Sequence, residues 1–204
     1  MGFYRDRVIP RLIDLAMRNE QAARRRAKII PAARGRVLEI GIGSGLNLPF
    51  YSRDVERLFG VDPSSSLLSM ARRKTDRLPF PVELLRESAE ELSLDGGSID
   101  TAVATWVLCS IPDPVRALRE IRRVLRPDGR MLFIEHGLAV GGRVQTWQER
   151  LNPAWRRLSG GCNMNRKTDD LLLRAGFQIA ELNNFYMKGI SLLTYMYEGV
   201  AHPA

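Results

Sequence analysis

Cysteine is scarce in this chain: Cys109 and Cys162 are the two in 204 residues. That excludes a disulfide-stapled scaffold and leaves two distant thiols, expected unpaired in a reducing compartment such as the cytoplasm. Histidine is equally scarce, with His136 and His202 alone. Cysteines and histidines scattered in this way show no metal-ligand spacing, so no metal site is expected. No apolar run approaches the roughly 20 residues that a membrane-spanning helix needs. No secretory leader, repeat or low-complexity segment is visible. Acids are in deficit: 31 Lys and Arg face 23 Asp and Glu, a formal charge of +8 with a pI near 10.1. An excess of this sign suits a solvated surface or attraction to anions. There is no basic run interleaved with aromatics and no nucleic-acid motif, so nucleic acid is not the expected partner.

Hydrophobic residues make up 45% of the chain, enough to bury one good core. The chain is organised around Val37-Leu38-Glu39-Ile40-Gly41-Ile42-Gly43-Ser44-Gly45-Leu46-Asn47. The apolar run reads as a buried parallel strand. The alternating glycines read as a tight turn where backbone approaches a ligand. Open α/β sheets bind their ligands at this carboxyl end of the strands. A second run, Arg57 to Val61, ends in Asp62-Pro63-Ser64. Asp62 follows the first glycine by about 20 residues, the spacing at which an acid meets ribose hydroxyls. Nicotinamide dinucleotides and S-adenosylmethionine (SAM) both fit that spacing. The third glycine comes one residue early for a dinucleotide turn, and Pro49 spoils the helical first turn that a pyrophosphate needs. Glu39, just before the glycines, suits a cationic ligand, and SAM carries an ammonium and a sulfonium.

Residues 1–35 are expected to form an N-terminal helical cap on a single domain of residues 36–204. Arg11 to Ile30 reads as its helix, following Pro10. Ile13, Ala16, Met17, Ala23, Ala27 and Ile30 form its apolar stripe, with Arg18 and Arg24-Arg25-Arg26 outside it. This helix either packs over the cofactor together with Tyr4, or lies as a basic element on a membrane surface. Ser64 caps a helix to about Thr75, and Val82 to Leu85 is a third strand. Ile99 to Leu108 is a central buried strand and its exit. Asp113-Pro114 opens a helix with Leu118, Ile121, Val124 and Leu125 on its apolar face, ended by Arg126 to Gly129. Met131 to Ile134 is a fifth strand finishing in Glu135-His136. Arg143 to Arg157 is helical with an interruption at Asn152-Pro153, and Gly160 to Asn163 is a loop that exposes Cys162. A helix from Thr168 stops at Gly176. Phe177 to Phe185 and Ser191 to Val200 are two last strands, too close in sequence to be parallel. The alternation predicts an α/β fold: a doubly wound, mostly parallel seven-stranded sheet with an antiparallel C-terminal hairpin.

Four motifs together carry a family resemblance over about residues 36–200: Glu39-x-Gly41-x-Gly43-x-Gly45, Asp62-Pro63, Ser88-Ala89-Glu90-x-Leu92, and Leu118-x-Glu120-x-x-Arg123-Val124-Leu125-Arg126-Pro127-x-Gly129. They resemble the class I SAM-dependent methyltransferases of the type 11 group. The resemblance implies a Rossmann-like fold, SAM as cofactor and S-adenosylhomocysteine as product. It implies that Glu39, Gly41, Gly43, Asn47 and Leu48 line the methionine end, with Ile42 and Gly45 in the same turn. Asp62 would hold the ribose, Pro63 and Ala89 would flank the adenine, and Ser88 and Glu90 would lie beside it. Thr105, with Trp106 and Val107, would lie under the methyl donor.

A narrower set resembles the membrane-associated thiol S-methyltransferases: Val107-Leu108-Cys109-Ser110, Glu135-His136, Asn152-Pro153-Ala154-Trp155, Gly161-Cys162-Asn163 and Arg166. Those proteins carry an N-terminal hydrophobic anchor, where this sequence has a basic amphipathic segment. Related bacterial enzymes methylate phospholipid amines. The expected function is therefore methyl transfer from SAM to a small or lipid-like acceptor, a thiol first and phosphatidylethanolamine second. A SAM-binding module without catalysis and a nicotinamide oxidoreductase are the alternatives of other classes. Thr105-Trp106-Val107-Leu108 stands where an N/D-P-P-Y/F run would mark adenine or glutamine N-methylation. His136 follows the fifth strand on the ligand-bearing edge and is the candidate base, the alternative being a backbone-bonded residue that shapes the pocket. Cys109 reads as a packing residue and His202 as a surface residue. Trp106, Trp147, Trp155, Tyr186 and Tyr195 are candidates for an apolar acceptor wall or for the core. Peripheral membrane contact would run through the basic N-terminal helix.

Overall fold

The computed structural model describes residues 14, 15 and 17–204. Tyr4, Pro10, Ile13 and Ala16 lie outside the described residues. Seven strands form one sheet: β1 Gly35–Ile40, β2 Val55–Val61, β3 Val82–Leu85, β4 Ile99–Thr105, β5 Leu125–His136, β6 Phe177–Tyr186 and β7 Tyr195–Pro203. Their order is β3-β2-β1-β4-β5-β7-β6. The pairs among β1 to β5 are parallel, and β7 runs antiparallel between β5 and β6. This is the expected doubly wound sheet, with the hairpin inserted so that its second strand meets β5. The helices are α1 Glu20–Ile29, α2 Ser65–Thr75, α3 Pro114–Val124, α4 Gly142–Leu158, α5 Thr168–Arg174 and the single turn α6 Ser191–Thr194.

Successive residues of a strand point to opposite faces. Leu38, Ala102 and Phe133 enter one apolar cluster with Leu118 and Ile121 of α3. Their neighbours Val37, Val103 and Leu132 enter the other, with Ile30 and with Leu68 of α2. Both faces of the central strands are buried, which is why those strands read as continuous apolar runs. Asp113 caps α3 through Arg116 N, Pro114 occupies its first turn, and Ala117, Leu118, Ile121 and Val124 are all fully buried.

The structure corrects the sequence reading at several places. Arg126 to Gly129 does not simply end α3; it is the extended start of β5, recruited by pairing of Leu125 with Ile99. Ser191 to Thr194 is a helical turn, and the last strand begins at Tyr195. The expected helix from Arg11 to Ile30 is interrupted at Arg18 and Asn19, because the Asn19 side chain accepts from Ala22 N and caps a new helix. The buried face of α1 is Ala22 and Arg26, leading to Ile30, while Ala27 is exposed. Asn152-Pro153 does not interrupt α4, which continues to Leu158. Proline removes one backbone hydrogen bond there. The buried Asn152 side chain holds the turn instead, accepting from Met164 N at 2.9 Å.

Candidate active site

A cavity of about 400 Å³ opens at the carboxyl edge of β1, β2 and β4. Of the expected cofactor residues, Glu39, Gly41, Ile42, Gly43, Asn47, Asp62, Pro63, Thr105, Trp106 and Val107 line it. Ser88 and Ala89 line an adjoining lobe of about 200 Å³ that shares Gly41, Asp62, Pro63 and Val107. Gly45, Leu48 and Glu90 line neither. Leu48 is buried under the turn, and Gly45 packs against its side chain. Glu90 caps the next helix, its Oε1 accepting from Asp113 N at 2.8 Å. Gly41 has φ +64°, and a side chain there would strike Val107, so the turn can come this close only with glycine.

Asn47 joins three groups at the cavity floor. Its Nδ2 donates to Glu39 Oε1 and to Thr105 Oγ1, both at 2.9 Å, and its Oδ1 accepts from Arg26 Nε at 3.0 Å. Tyr51 OH donates to Glu39 Oε2 at 2.7 Å. Burial pushes the Glu39 carboxyl up to about 7, against the opposing pull of Tyr51, Asn47 and Arg26. Burial also raises Asp62, whose Oδ2 accepts from Gly43 N at 3.1 Å and whose Oδ1 accepts from Ser64 N at 2.8 Å. Arg26 is the residue that sequence reasoning missed. The sequence puts it outside the apolar stripe of the helix, yet it is 4% exposed, and its guanidinium lies 4.9 Å over the Trp106 ring. Its Nη1 also donates to Met17 O at 2.9 Å. Its position four residues after the buried Ala22 is the signal that the apolar count passed over. Ser110 and Gly160 also line the cavity without having been expected.

Trp106 has φ +51°, uncommon for a bulky residue, and sits where β4 leaves the sheet. Glu135 of β5 holds this exit: its Oε1 accepts from Val107 N at 2.9 Å and Leu108 N at 3.1 Å. Burial pushes Glu135 up to about 7. His136 lines neither lobe. Its Nε2 lies 3.2 Å from Cys162 Sγ. Burial lowers the imidazole, but Cys162 and the Glu135 carboxyl together outweigh it and raise the net value. Cys162 is only partly exposed, and Cys109 is buried. The expectation that these residues lie scattered is corrected: the crossover connections bring Cys109, His136 and Cys162 together. His202 is also partly buried, with Nδ1 2.9 Å from Gly129 O. Of the five candidate aromatic wall residues, Trp106 alone lines the cavity. Tyr186 and Tyr195 stack edge to face, and Trp147 is 50% exposed.

One acid, Glu39, stands next to the end of β1, another, Asp62, just past β2, and both line the cavity at the carboxyl edge of the paired strands β1 and β4. That arrangement, on this strand order, defines the class of Rossmann-like proteins that bind SAM. A methyltransferase domain family matches residues 38–133. Thiol S-methyltransferase TMT1A of Homo sapiens is 33% identical over 181 residues, 81% of this chain and 72% of that one. A phosphatidylethanolamine N-methyltransferase of Cereibacter sphaeroides is 38% identical over 120 residues, 58% of this chain and 59% of that one. The chain thus spans less than two thirds of the second relative. A chain from the complex of the Haloferax volcanii Trm112 methyltransferase activator with a methyltransferase superposes with TM-score 0.73 at 18% identity, covering 98% of both chains. A SAM-dependent methyltransferase of Methanosarcina mazei gives TM-score 0.66 at 20% identity, over 82% of this chain and 92% of that one. The two superpositions carry the fold alone. The chain belongs to the SAM-dependent methyltransferase family, and SAM is its cofactor.

Proposed function

We propose that this enzyme moves the methyl group of SAM to a thiol on a small or lipid-like molecule. One observation carries the placement of the cofactor: Arg26 and Glu39 lie on either side of Asn47, each hydrogen-bonded to it. The methionine end of SAM bears a carboxylate and an ammonium, so each finds an opposite charge. Asp62 receives the ribose, and the lobe with Ala89 receives the adenine. SAM supplies an electrophilic methyl group on sulfur. The residues that line the cavity align the acceptor with that methyl and exclude water. Likeness to a thiol S-methyltransferase over 81% of the chain favours a thiol acceptor. A thiol with pKa near 8.5 is only a few per cent thiolate at neutral pH.

A second reading, transfer to phosphatidylethanolamine, has its own support. The solvent side of α4 presents Trp147, Leu151 and Leu158, exposed by 50%, 40% and 80%, flanked by the exposed Arg143, Arg150 and Arg157. An apolar stripe with arginines beside it suits a lipid surface. Among the described residues no helix is long and apolar enough to cross a membrane. Release of S-adenosylhomocysteine from SAM, measured with alkyl thiols, hydrogen sulfide and phosphatidylethanolamine vesicles, separates the two. Thiol-dependent release is expected, rising about tenfold per pH unit below the thiol pKa. Release with vesicles alone would replace the thiol by the lipid amine.

A further inference from the structure

Three groups far apart in sequence meet beside the wall of the cofactor cavity. Cys109 lies on the loop leaving β4, His136 ends β5, and Cys162 lies on the loop leaving α4. One potential ligand atom from each lies within 4.8 Å of the other two, the single such group among the described residues. Cys162 Sγ and His136 Nε2 are 3.2 Å apart. The imidazole's other nitrogen, Nδ1, is buried and has no partner.

We propose that Cys109, His136 and Cys162 form a Zn²⁺ site. The donor set is one imidazole and two thiols, the set that selects a borderline-soft ion over Mg²⁺ or Ca²⁺. Tetrahedral Zn²⁺, with bonds of about 2.3 Å to sulfur and 2.0–2.1 Å to nitrogen, holds such ligands roughly 3.5–3.8 Å apart. The 3.2 Å contact and the 4.8 Å limit bracket that separation. Binding releases a proton from each thiol, and two thiolates balance the charge of the ion. A neutral cluster avoids the cost of burying a net charge.

The loops that carry the ligands are already held in place. Asn163 donates to Cys109 O from both its backbone N, at 2.8 Å, and its Nδ2, at 2.9 Å. Arg166 donates from Nη1 to Leu108 O and to Ile111 O. Asn152 Nδ2 donates to Asn163 Oδ1 at 3.3 Å. Such outer contacts orient the ligands before the ion arrives. Ser110, next to Cys109, and Gly160, just before the Cys162 turn, line the cofactor cavity. The ion therefore ties together two loops of the cavity wall. Three protein ligands leave one tetrahedral position for an outside ligand. The site stands whichever acceptor is methylated.

The test titrates the full chain, reduced and freed of metal by a chelator, with Co²⁺ and then Zn²⁺. One equivalent of Co²⁺ is expected to give thiolate-to-metal charge-transfer absorption and intense tetrahedral d–d bands, which Zn²⁺ abolishes. Cys109→Ser, Cys162→Ser and His136→Ala should each lower Zn²⁺ affinity by more than about 100-fold. His202→Ala should leave it unchanged. Thermal shift on adding SAM checks that each variant is folded. Where Cys109→Ser fails to fold, Cys162→Ser and His136→Ala decide. Absence of the charge-transfer band in the reduced chain, or equal Zn²⁺ affinity in Cys162→Ser and the unaltered chain, would overturn the site.

Discussion

Asn47 makes the charge arrangement of the cavity possible. A guanidinium and a carboxylate so close would otherwise pair with each other and leave nothing for a ligand. The amide accepts from Arg26 on one side and donates to Glu39 on the other, and all three residues line the cavity. Burial lowers Arg26 and raises Glu39, each paying a desolvation cost that a zwitterionic ligand offsets. Replacing Arg26 by Gln removes the charge and one arm of the network while keeping much of the side chain. SAM affinity is expected to fall by about 10- to 100-fold, since a charge-assisted hydrogen bond contributes about 1.5–3 kcal/mol. Isothermal titration with SAM checks this. Unchanged affinity would place the methionine carboxylate elsewhere.

Among the elements, α1 and α4 depart furthest from simple amphipathic helices. The cations of α1 are turned inward or paired: Lys28 Nζ is 2.6 Å and Arg25 Nη1 3.5 Å from the buried carboxylate of Glu198 on β7. Arg24 pairs with Glu20, and Gln21 exchanges hydrogen bonds with the Lys188 backbone. These contacts fasten the helix that delivers Arg26. Glu198→Gln leaves two cations without their carboxylate and is expected to destabilise the fold by roughly 1–3 kcal/mol. Because α1 carries Arg26, the proposed partner of the methionine carboxylate, SAM affinity should drop with it. Chemical denaturation and titration of the same variant measure both, and a loss of stability without loss of affinity would uncouple the helix from the site. In α4 the usual order is inverted. Gln148 and Asn152 are buried, and Trp147, Leu151 and Leu158 face solvent. The buried Gln148 amide satisfies backbone groups of two loops and of the turn α6: its Nε2 donates to Gly137 O, Met164 O and Leu192 O. Such loops have no ladder of their own to join.

For the molecule as a whole, the raised Glu39 makes stability and cofactor binding respond to pH in opposite ways. Without SAM, the folded chain keeps a proton on Glu39 up to about 7 that the unfolded chain releases near the ordinary carboxylate value. Stability therefore falls as pH rises through that window and levels off above it. The groups around Glu39 are Tyr51, Asn47, Arg26 and Asp62, of which Asp62 alone pushes its value further up. The SAM ammonium prefers the ionised carboxylate, so affinity should rise about tenfold per pH unit below 7 and flatten above it. In Glu39→Gln both pH dependences from this group vanish and affinity is lower throughout. Calorimetric melts and SAM titrations across this range give both curves. A pH-independent SAM affinity in the unaltered chain would mean that Glu39 is not the ammonium partner.

Contiguous patterns alone determined much of this protein. The strand ending in Glu39, the glycine turn and Asp62 at the end of the next strand were legible because strand alternation and glycine torsion are local properties. So was the closing antiparallel hairpin, because its short connection leaves no room for a parallel crossover, whereas the order of the strands came from the tertiary structure. Arg26 was not, since whether an arginine faces solvent or a cavity depends on what packs over its helix. Nor was the unbroken α4, held by Asn152 across a loop. The meeting of Cys109, His136 and Cys162 was least visible. No spacing along the chain encodes it: the loops that leave β4 and α4 meet the end of β5 only in the folded chain, and only there do the three side chains become neighbours.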